Sequence, residues 1–217
     1  MISDAVLKQD VEEELAWRPD IDSDHIAITA DNGIVTLQGY VPTYLQKHAA
    51  EAAVKRVAGV RGLVESLQVY LAGSNPTEDE DLARRALNSL DWDARVPRQS
   101  VKVTVEGGSV SLSGEVSWQY QKSAAENAVR KLCGVVSVIN NVTIKRQPQP
   151  KDVKQLIENA LKRSAELDSK SIHVAVANGT VTLEGTVDSW MARDQAEEAV
   201  WAAPGIIEVR DNLRVVF

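Results

Sequence analysis

The sequence predicts an α+β protein built from three tandem αββαβ modules, each a three-stranded mixed sheet with two helices on one face. Three observations carry this prediction. One segment recurs three times in fixed register, every copy contains a run in which apolar and polar residues alternate, and every copy contains two stretches with helical periodicity. The modules are predicted at residues 1–72, 76–146 and 149–217.

A nine-residue segment bounded by glycines marks the repeat. Residues 33–41 read GIVTLQGYV, and the pattern returns as GSVSLSGEV at 108–116 and as GTVTLEGTV at 179–187. The offsets are 75 residues (108 − 33) and 71 residues (179 − 108), and no copy needs an internal insertion. The difference falls in the linkers at 72–77 and 147–150, which are rich in Gly, Pro and Asn. We call the three units copies one, two and three.

Each copy begins with a predicted helix. In copy three, the apolar residues that share one face at helical spacing are Val153, Leu156, Ile157, Ala160 and Leu161. Acidic residues near the start of the first helices complement the helix dipole. The first helices are predicted to end near Trp17, Trp92 and Arg163.

Two antiparallel strands are predicted next. The apolar residues of the alternating run in copy one are Ile26, Ile28 and Ala30, followed by Val35, Leu37 and Val41. Asn32 and Gly33 lie between the two groups, and Asn-Gly favours a type I′ hairpin turn because both positions take positive φ. The outward positions carry mostly Thr, Ser and Gln, so the sheet face away from the helices is predicted to be polar.

An Ala-rich second helix and a third strand complete each copy. The small apolar residues of this helix in copy one are Ala50, Ala53, Val54 and Val57, and the apolar residues of the last strand are Leu63, Leu67 and Val69. Small residues let the helix lie close to the sheet. A strand–helix–strand crossover places the third strand parallel to the second.

Nine glycines at repeating positions are predicted to be structural. They occur in the hairpin turns (Gly33, Gly108, Gly179), within the second strands (Gly39, Gly114, Gly185) and after the second helices (Gly59, Gly134, Gly205). A glycine inside a strand indicates a close approach of another backbone segment. The third set is predicted to supply the left-handed residue that follows a helix C-terminus.

Charge is distributed unevenly along the chain. The formal net charge is −7, which argues against nucleic-acid binding because that binding depends on a basic surface. Basic and acidic residues number 6 and 11 in residues 1–72, 10 and 9 in 73–146, and 8 and 11 in 147–217. The resulting charges of −5, +1 and −3 make copy two the only part whose balance favours an anion.

The first residues predict the compartment. They contain neither the basic nor the apolar region of a secretory signal, and no apolar run is long enough for a transmembrane segment. A cytoplasmic location is therefore predicted, or a periplasmic one if a signal has been removed. A single cysteine allows no internal disulfide and no thiolate metal cluster.

The sequence predicts no catalytic residue, no metal ligand and no cofactor, and hence no enzyme. The histidines His25, His48 and His173 occupy three different positions of the repeat, and no phosphate-binding or dinucleotide-binding motif occurs. Cys133 follows the second helix of copy two at the position of Ala58, so it is interpreted as a buried small residue.

The repeated pattern resembles the BON domain. The features that carry the resemblance are Gly-x-Val-x-Leu-x-Gly-x-Val, an Ala-rich helix, a Gly-Val pair and a closing strand, three times over nearly the whole chain. The family takes its name from bacterial proteins of osmotic shock protection and nodulation. The resemblance implies the αββαβ fold and a non-enzymatic, transport-associated role in which the domains bind phospholipid or other envelope components under osmotic stress.

Two functional hypotheses follow. In the first, copy two binds an anionic phospholipid or membrane surface through Trp92 and the cations around it, which are Arg84, Arg85, Arg95, Arg98 and Lys102. In the second, the chain is a protein-interaction scaffold or a homo-oligomer, with Trp201 as the candidate partner contact. A competing interpretation of Trp17 and Trp92 is that each packs the helix end onto its own sheet or onto a neighbouring copy.

Overall fold

The computed structural model describes residues 3–70, 79–147, 150, 152–164 and 171–216, and the same order of elements occurs in each copy. Most of the two predicted linkers, residues 72–77 and 148–149, lies outside the described residues. Copy one comprises α1 (Asp4–Trp17), β1 (Ile26–Asp31), β2 (Ile34–Val41), α2 (Tyr44–Val54) and β3 (Gly62–Val69).

The other two copies repeat this order. Copy two comprises α3 (Asp79–Trp92), β4 (Val101–Glu106), β5 (Ser109–Val116), α4 (Gln119–Arg130) and β6 (Ser137–Ile144). Copy three comprises α5 (Val153–Arg163), β7 (Ile172–Ala177), β8 (Thr180–Val187), α6 (Trp190–Trp201) and β9 (Glu208–Val215). The first helices end where the sequence predicted.

Each sheet is formed by the strands of one copy, in the orders β1-β2-β3, β4-β5-β6 and β7-β8-β9. The hairpin strands are antiparallel, and β3 and β9 are parallel to β2 and β8. This confirms the predicted αββαβ fold. Packing alone groups residues 1–114 with 124–141 and residues 115–123 with 142–217, which cuts through copy two. Strand pairing defines the modules better, because each sheet in the described part of the chain is formed within one copy.

The first helix of each copy contributes a narrow apolar stripe to the core. Its buried residues recur every four positions and are Leu7, Val11 and Leu15, then Leu82, Ala86 and Leu90, then Val153, Ile157 and Leu161. Leu156 was predicted to lie on this face but is 43% exposed. The stripe is a single i, i+4, i+8 ridge, and Leu156 lies about 100° away from Ile157 around the helix.

The second helix lies close to the sheet because its inner residues are small. Ala50, Ala53 and Val54 of α2 are fully buried and belong to one core with Val35, Leu37 and Val41 of β2, as the alternation predicted. A core of the same kind is formed in copy three, where Ala196 and Val200 pack with the inner residues of β8. Each fully buried Val or Leu contributes about 1.5–3 kcal/mol relative to exposure.

A carboxylate at the start of the first helix binds the hairpin turn in copies one and two. The Asp4 side chain accepts hydrogen bonds from the backbone N–H groups of Asn32 and Gly33, at 3.0 and 3.1 Å. Asp79 accepts the equivalent bonds from Gly107 and Gly108, at 2.8 and 3.0 Å. The corresponding residue of copy three is Pro150, which has no carboxylate (79 + 71). Hydrogen bonds to a charged acceptor are stronger than neutral ones, so this contact ties the helix to the turn.

The second-strand glycines mark a close backbone approach, as predicted. Gly114 has φ +139°, and a side-chain carbon at this position would overlap the carbonyl oxygen of Ser100. Gly39 and Gly185 approach the carbonyl groups of His25 and Ser171 in the same way. The residue before the first strand is thereby held against the second strand.

The glycines after the second helices have a different role from the one predicted. Gly59 has φ +91°, but α2 ends at Val54, so Gly59 is not the residue that follows the helix C-terminus. It lies in the turn before β3, where its carbonyl oxygen lies against Gly33 of the hairpin turn. The Arg61 N–H donates to the Gly33 carbonyl at 2.8 Å and joins the same two turns. Gly134 and Gly205 also have positive φ, at +96° and +78°.

We expect Gly114→Ala to unfold copy two, because the added carbon meets a backbone carbonyl that cannot move without displacing β4; the cost is roughly 4 kcal/mol. The matched control is Gly107→Ala, also at positive φ (+56°) but with open space around it, where a cost of about 1 kcal/mol is expected. Peptide-resolved hydrogen exchange measures copy two separately from the other copies. Equal loss of protection in both variants would contradict the structural role of Gly114.

Candidate functional site

The loop between α3 and β4, residues 93–100, carries the candidate contact of copy two. Val96 is buried, and its N–H donates to the Asp93 carbonyl at 2.9 Å. At its far end the Ser100 N–H donates to Pro97, and the Ser100 carbonyl lies against Gly114. The loop is therefore anchored at its centre and at its end.

Trp92 precedes this loop and is 88% exposed, and the equivalent Trp17 of copy one is 83% exposed. The competing expectation that each side chain packs onto its own sheet is therefore wrong, and packing onto a neighbouring copy stays a prediction. The exposure of Trp92 follows from its position on α3, because the buried stripe of this helix ends at Leu90. A residue two positions later lies about 200° further around the helix, on the opposite side.

The five predicted cations of copy two fall into two groups. Arg84 and Arg85 both contact the carboxylate of Asp81. Arg95 binds Asp93 with two hydrogen bonds of 3.0 and 2.7 Å. All three cations are thus ion-paired, although Arg84 and Arg85 share one carboxylate. The hydrogen bond from Arg95 lowers the pKa of Asp93 to about 2.

Arg98 and Lys102 form the second group. Both side chains are exposed, and neither makes an ion pair with any residue in the described part of the chain. Arg98 lies in the α3–β4 loop, and Lys102 is the second residue of β4. The structure therefore places an exposed tryptophan and two unneutralised cations within eleven residues of one another in sequence (92–102).

Copy one keeps the geometry of this loop but changes its charges. Arg18 and Asp20 occupy the positions of Asp93 and Arg95 (18 + 75 and 20 + 75) and form the same bidentate ion pair with reversed polarity, at 2.9 Å for both hydrogen bonds. Residues 16–27 contain one cation and three anions, whereas residues 91–102 contain three cations and two anions. Of these two loops, only that of copy two has a positive balance.

Trp201, the second predicted contact, is half-buried. It packs against the core of copy three, and its Nε1–H donates to Glu197 at 3.0 Å. Part of its surface therefore serves its own module. A partner contact at Trp201 stays a prediction.

The side chains that could support catalysis or metal binding do not form a cluster in the described ranges. Cys133 is exposed, so the prediction of a buried cysteine is wrong; the turn that follows α4 turns its side chain outward. Within the described ranges, no group of three or more His, Cys, Asp or Glu side chains could hold a metal ion. The same ranges contain no helix that is both long and apolar enough to cross a bilayer.

A charged cluster on α2 is the feature that most perturbs a titratable group of copy one. The Glu51 carboxylate lies 3.5 Å from His48 Nδ1 and 2.9 Å from Lys55 Nζ. The interaction with His48 is the largest cause, and the hydrogen bond from Lys55 is the next favourable one; together they lower the pKa of Glu51 from 4.5 to about 2.

A lowered pKa in the folded state stabilises the fold above the unfolded value and is lost as pH falls. We therefore expect the Glu51 contribution to disappear between about pH 4.5 and pH 2. Carbon-detected NMR titration of the Glu51 carboxyl should give a midpoint near 2, and His48→Ala should move it upward. His25→Ala, at an exposed histidine outside the cluster, should leave it unchanged. A wild-type midpoint at 4.5 would show that the cluster does not form.

The chain belongs to the BON domain family, since the model described as BON domain matches residues 3–70, 78–146 and 151–216. The three matches coincide with the three αββαβ sheets and their helices. Family membership thus confirms the resemblance that the repeated glycine pattern indicated.

Two curated relatives extend the comparison. The osmotically-inducible protein Y of Escherichia coli (strain K12) is 30% identical over 153 residues, covering 66% of this chain and 74% of the relative. The outer membrane lipoprotein DolP of Haemophilus influenzae is 36% identical over 110 residues, covering 50% of this chain and 56% of the relative. One relative is thus named for osmotic induction and the other for the outer membrane, and neither name supports a cytoplasmic location.

Two solved structures of CdsD, a structural protein of the type III secretion system of Chlamydia trachomatis, align over most of the chain. They are 17% and 18% identical, cover 97% and 100% of this chain and 92% and 100% of their own, and have TM-scores of 0.26 and 0.27. Similarity at this level supports no inference about this chain.

Proposed function

We propose that this protein is a non-catalytic, stress-related component of the bacterial envelope that binds anionic phospholipid surfaces through the α3–β4 loop of copy two. The observation that carries the proposal is the combination of Trp92, 88% exposed, with the unneutralised cations Arg98 and Lys102. The proposal places the protein in the periplasm, the compartment that faces the outer membrane.

The chemistry of the loop suits the headgroup region of a bilayer. Tryptophan prefers this region because its ring is apolar and its N–H is polar. A lysine or arginine near an anionic surface contributes about 1 kcal/mol. Arg84, Arg85 and Arg95 contribute less, because each is already ion-paired with Asp81 or Asp93. One tryptophan and two cations support reversible binding rather than permanent anchoring.

The names of the two relatives support this location. The outer membrane lipoprotein DolP is named for the membrane that the proposal invokes, and the osmotically-inducible protein Y is named for a stress response. Both are similar to this chain over half of its length or more. Transfer of these properties to this chain is part of the proposal.

Co-sedimentation with vesicles tests the proposal. The wild-type chain should bind phosphatidylglycerol-containing vesicles at low ionic strength, bind less at high ionic strength, and not bind pure phosphatidylcholine vesicles. Arg98→Gln combined with Lys102→Gln should weaken binding roughly 30-fold, since two cations contribute about 2 kcal/mol. Trp92→Ala should also weaken it.

The chain contains its own matched control. Trp17→Ala removes an equally exposed tryptophan at the equivalent position, but its loop has an acidic balance, so vesicle binding should be unchanged. Equal effects of the Trp17 and Trp92 substitutions would contradict the proposal. If no vesicle is bound and light scattering shows a homo-oligomer, the alternative of a protein-interaction scaffold replaces the lipid role.

A further inference from the structure

The outer face of the copy-one sheet differs from those of the other two copies. The outward residues of β2 and β3, with Tyr70 directly after β3, are Ile34, Thr36, Gln38, Tyr40, Val64, Ser66, Gln68 and Tyr70, and none of them is charged. The equivalent positions include Glu115 and Lys145 in copy two and Glu184, Arg210 and Arg214 in copy three.

The prediction of a polar outer face is therefore wrong for part of copy one. Tyr40 and Tyr70 are 40% and 61% exposed, and Ile34 and Val64 are 46% and 47% exposed. The polar residues lie between these apolar ends. The face thus combines exposed rings with uncharged hydrogen-bonding groups.

Three aromatic side chains form a contiguous group at one end of this face, and we call it the aromatic row. His25 stacks on Tyr40 with ring centroids 4.4 Å apart and planes 23° apart, and Tyr70 meets Tyr40 edge-on at 5.6 Å. The backbone fixes their positions. The Tyr40 N–H donates to the His25 carbonyl at 3.3 Å, and the Tyr70 N–H donates to the Val41 carbonyl at 2.9 Å.

A second row lies beside the aromatic row. Strand register places Ala27 beside Gln38, and Gln38 beside Ser66, so these three residues cross the sheet in one line; we call them the low row. All three are exposed. Two residues of strand separate Gln38 from Tyr40, or about 6.6 Å. Because Ala27 and Ser66 are small, the surface at the low row lies below the neighbouring aromatic rings. We call this depression, with the Gln38 amide at its centre, the step.

Charge excludes several ligand classes from this step. Copy one carries −5 overall (6 − 11), so it repels nucleic acid and anionic lipid. The residues of the step provide no carboxylate to pair with a cation, and the outward carboxylate of Asp31 lies at the other end of the face, beside Ile34. A purely apolar partner would leave the amides of Gln38 and Gln68 and the hydroxyl of Ser66 without hydrogen bonds, at a cost of about 1–3 kcal/mol for each buried group.

We propose that the step binds a neutral carbohydrate chain, a role that is separate from lipid binding by copy two. Sugar rings present C–H faces that pack on aromatic rings, and they present hydroxyl groups that pair with amide and hydroxyl side chains. The aromatic row supplies the first contact, and Gln38, Ser66 and Gln68 supply the second. An uncharged ligand can make both kinds of contact, and the acidic residues around the step do not repel it.

Saturation-transfer NMR and isothermal titration of the full chain test this assignment, with cellohexaose and chitohexaose as neutral probes. The wild-type chain should receive a signal from at least one probe. Tyr70→Ala should weaken binding about tenfold, the loss expected when one aromatic contact of about 1.4 kcal/mol is removed. Ser66→Arg should abolish binding by filling the low row. Ile34→Ala, at the other end of the same face, should have no effect.

Each contrary result overturns the assignment. These are the absence of binding to both probes, binding that persists in Tyr70→Ala and Ser66→Arg, and a dimer in light scattering that Tyr70→Ala dissociates. Tyr70 lies beyond β3 and is largely exposed, so its substitution leaves the core intact. Vesicle binding by Tyr70→Ala should equal that of the wild type, which separates failure of this proposal from failure of the lipid proposal.

Discussion

The backbone contact between the second strand and the residue before the first strand is the constraint on which the module depends. At Gly114 the strand passes so close to the Ser100 carbonyl that no side chain fits between them. This contact ends the loop that leaves the first helix and starts β4 in register with β5. The tryptophan before this loop points away from the core because the buried stripe of α3 ends at Leu90.

The three copies use one scaffold with different surfaces. The ion pair Arg18–Asp20 of copy one becomes Asp93–Arg95 in copy two with the same bidentate geometry, so the loop is conserved while its charges are exchanged. Copy one combines an acidic loop with an aromatic row that carries no carboxylate, whereas copy two has an exposed tryptophan and two cations without ion partners within residues 92–102. Repetition of the fold therefore allows two surfaces of different chemistry to diverge in one chain.

Local pattern was enough to predict the fold, because hairpin turns, alternation and small-residue helices are all encoded within a few positions. What the sequence could not predict depends on contacts between distant residues. The carboxylate of Asp79 binds amides 28 and 29 residues away, and the aromatic row needs the register of β1, β2 and β3. The exposure of Leu156 also could not be predicted, because helical spacing alone overestimates how wide a strip of the helix surface is buried.

The candidate site was predicted by residue type but not by charge state. Trp92 and the five cations were identified from the sequence. Three of those cations are ion-paired with neighbouring aspartates, and only side-chain geometry separates them from Arg98 and Lys102. Copy one provides the comparison, because Trp17 is as exposed as Trp92 but lies in an acidic loop.

The central claim is that copy two contacts the membrane and copy one does not, because their loops carry different side chains on the same fold. Fluorescence quenching by brominated phospholipids tests it most directly in chains that contain a single tryptophan. One chain would retain Trp92 and the other Trp17, with the remaining tryptophans replaced by phenylalanine. Anionic vesicles with brominated acyl chains should quench Trp92 and leave Trp17 unaffected. Equal quenching of both, or quenching of Trp17 alone, would contradict it.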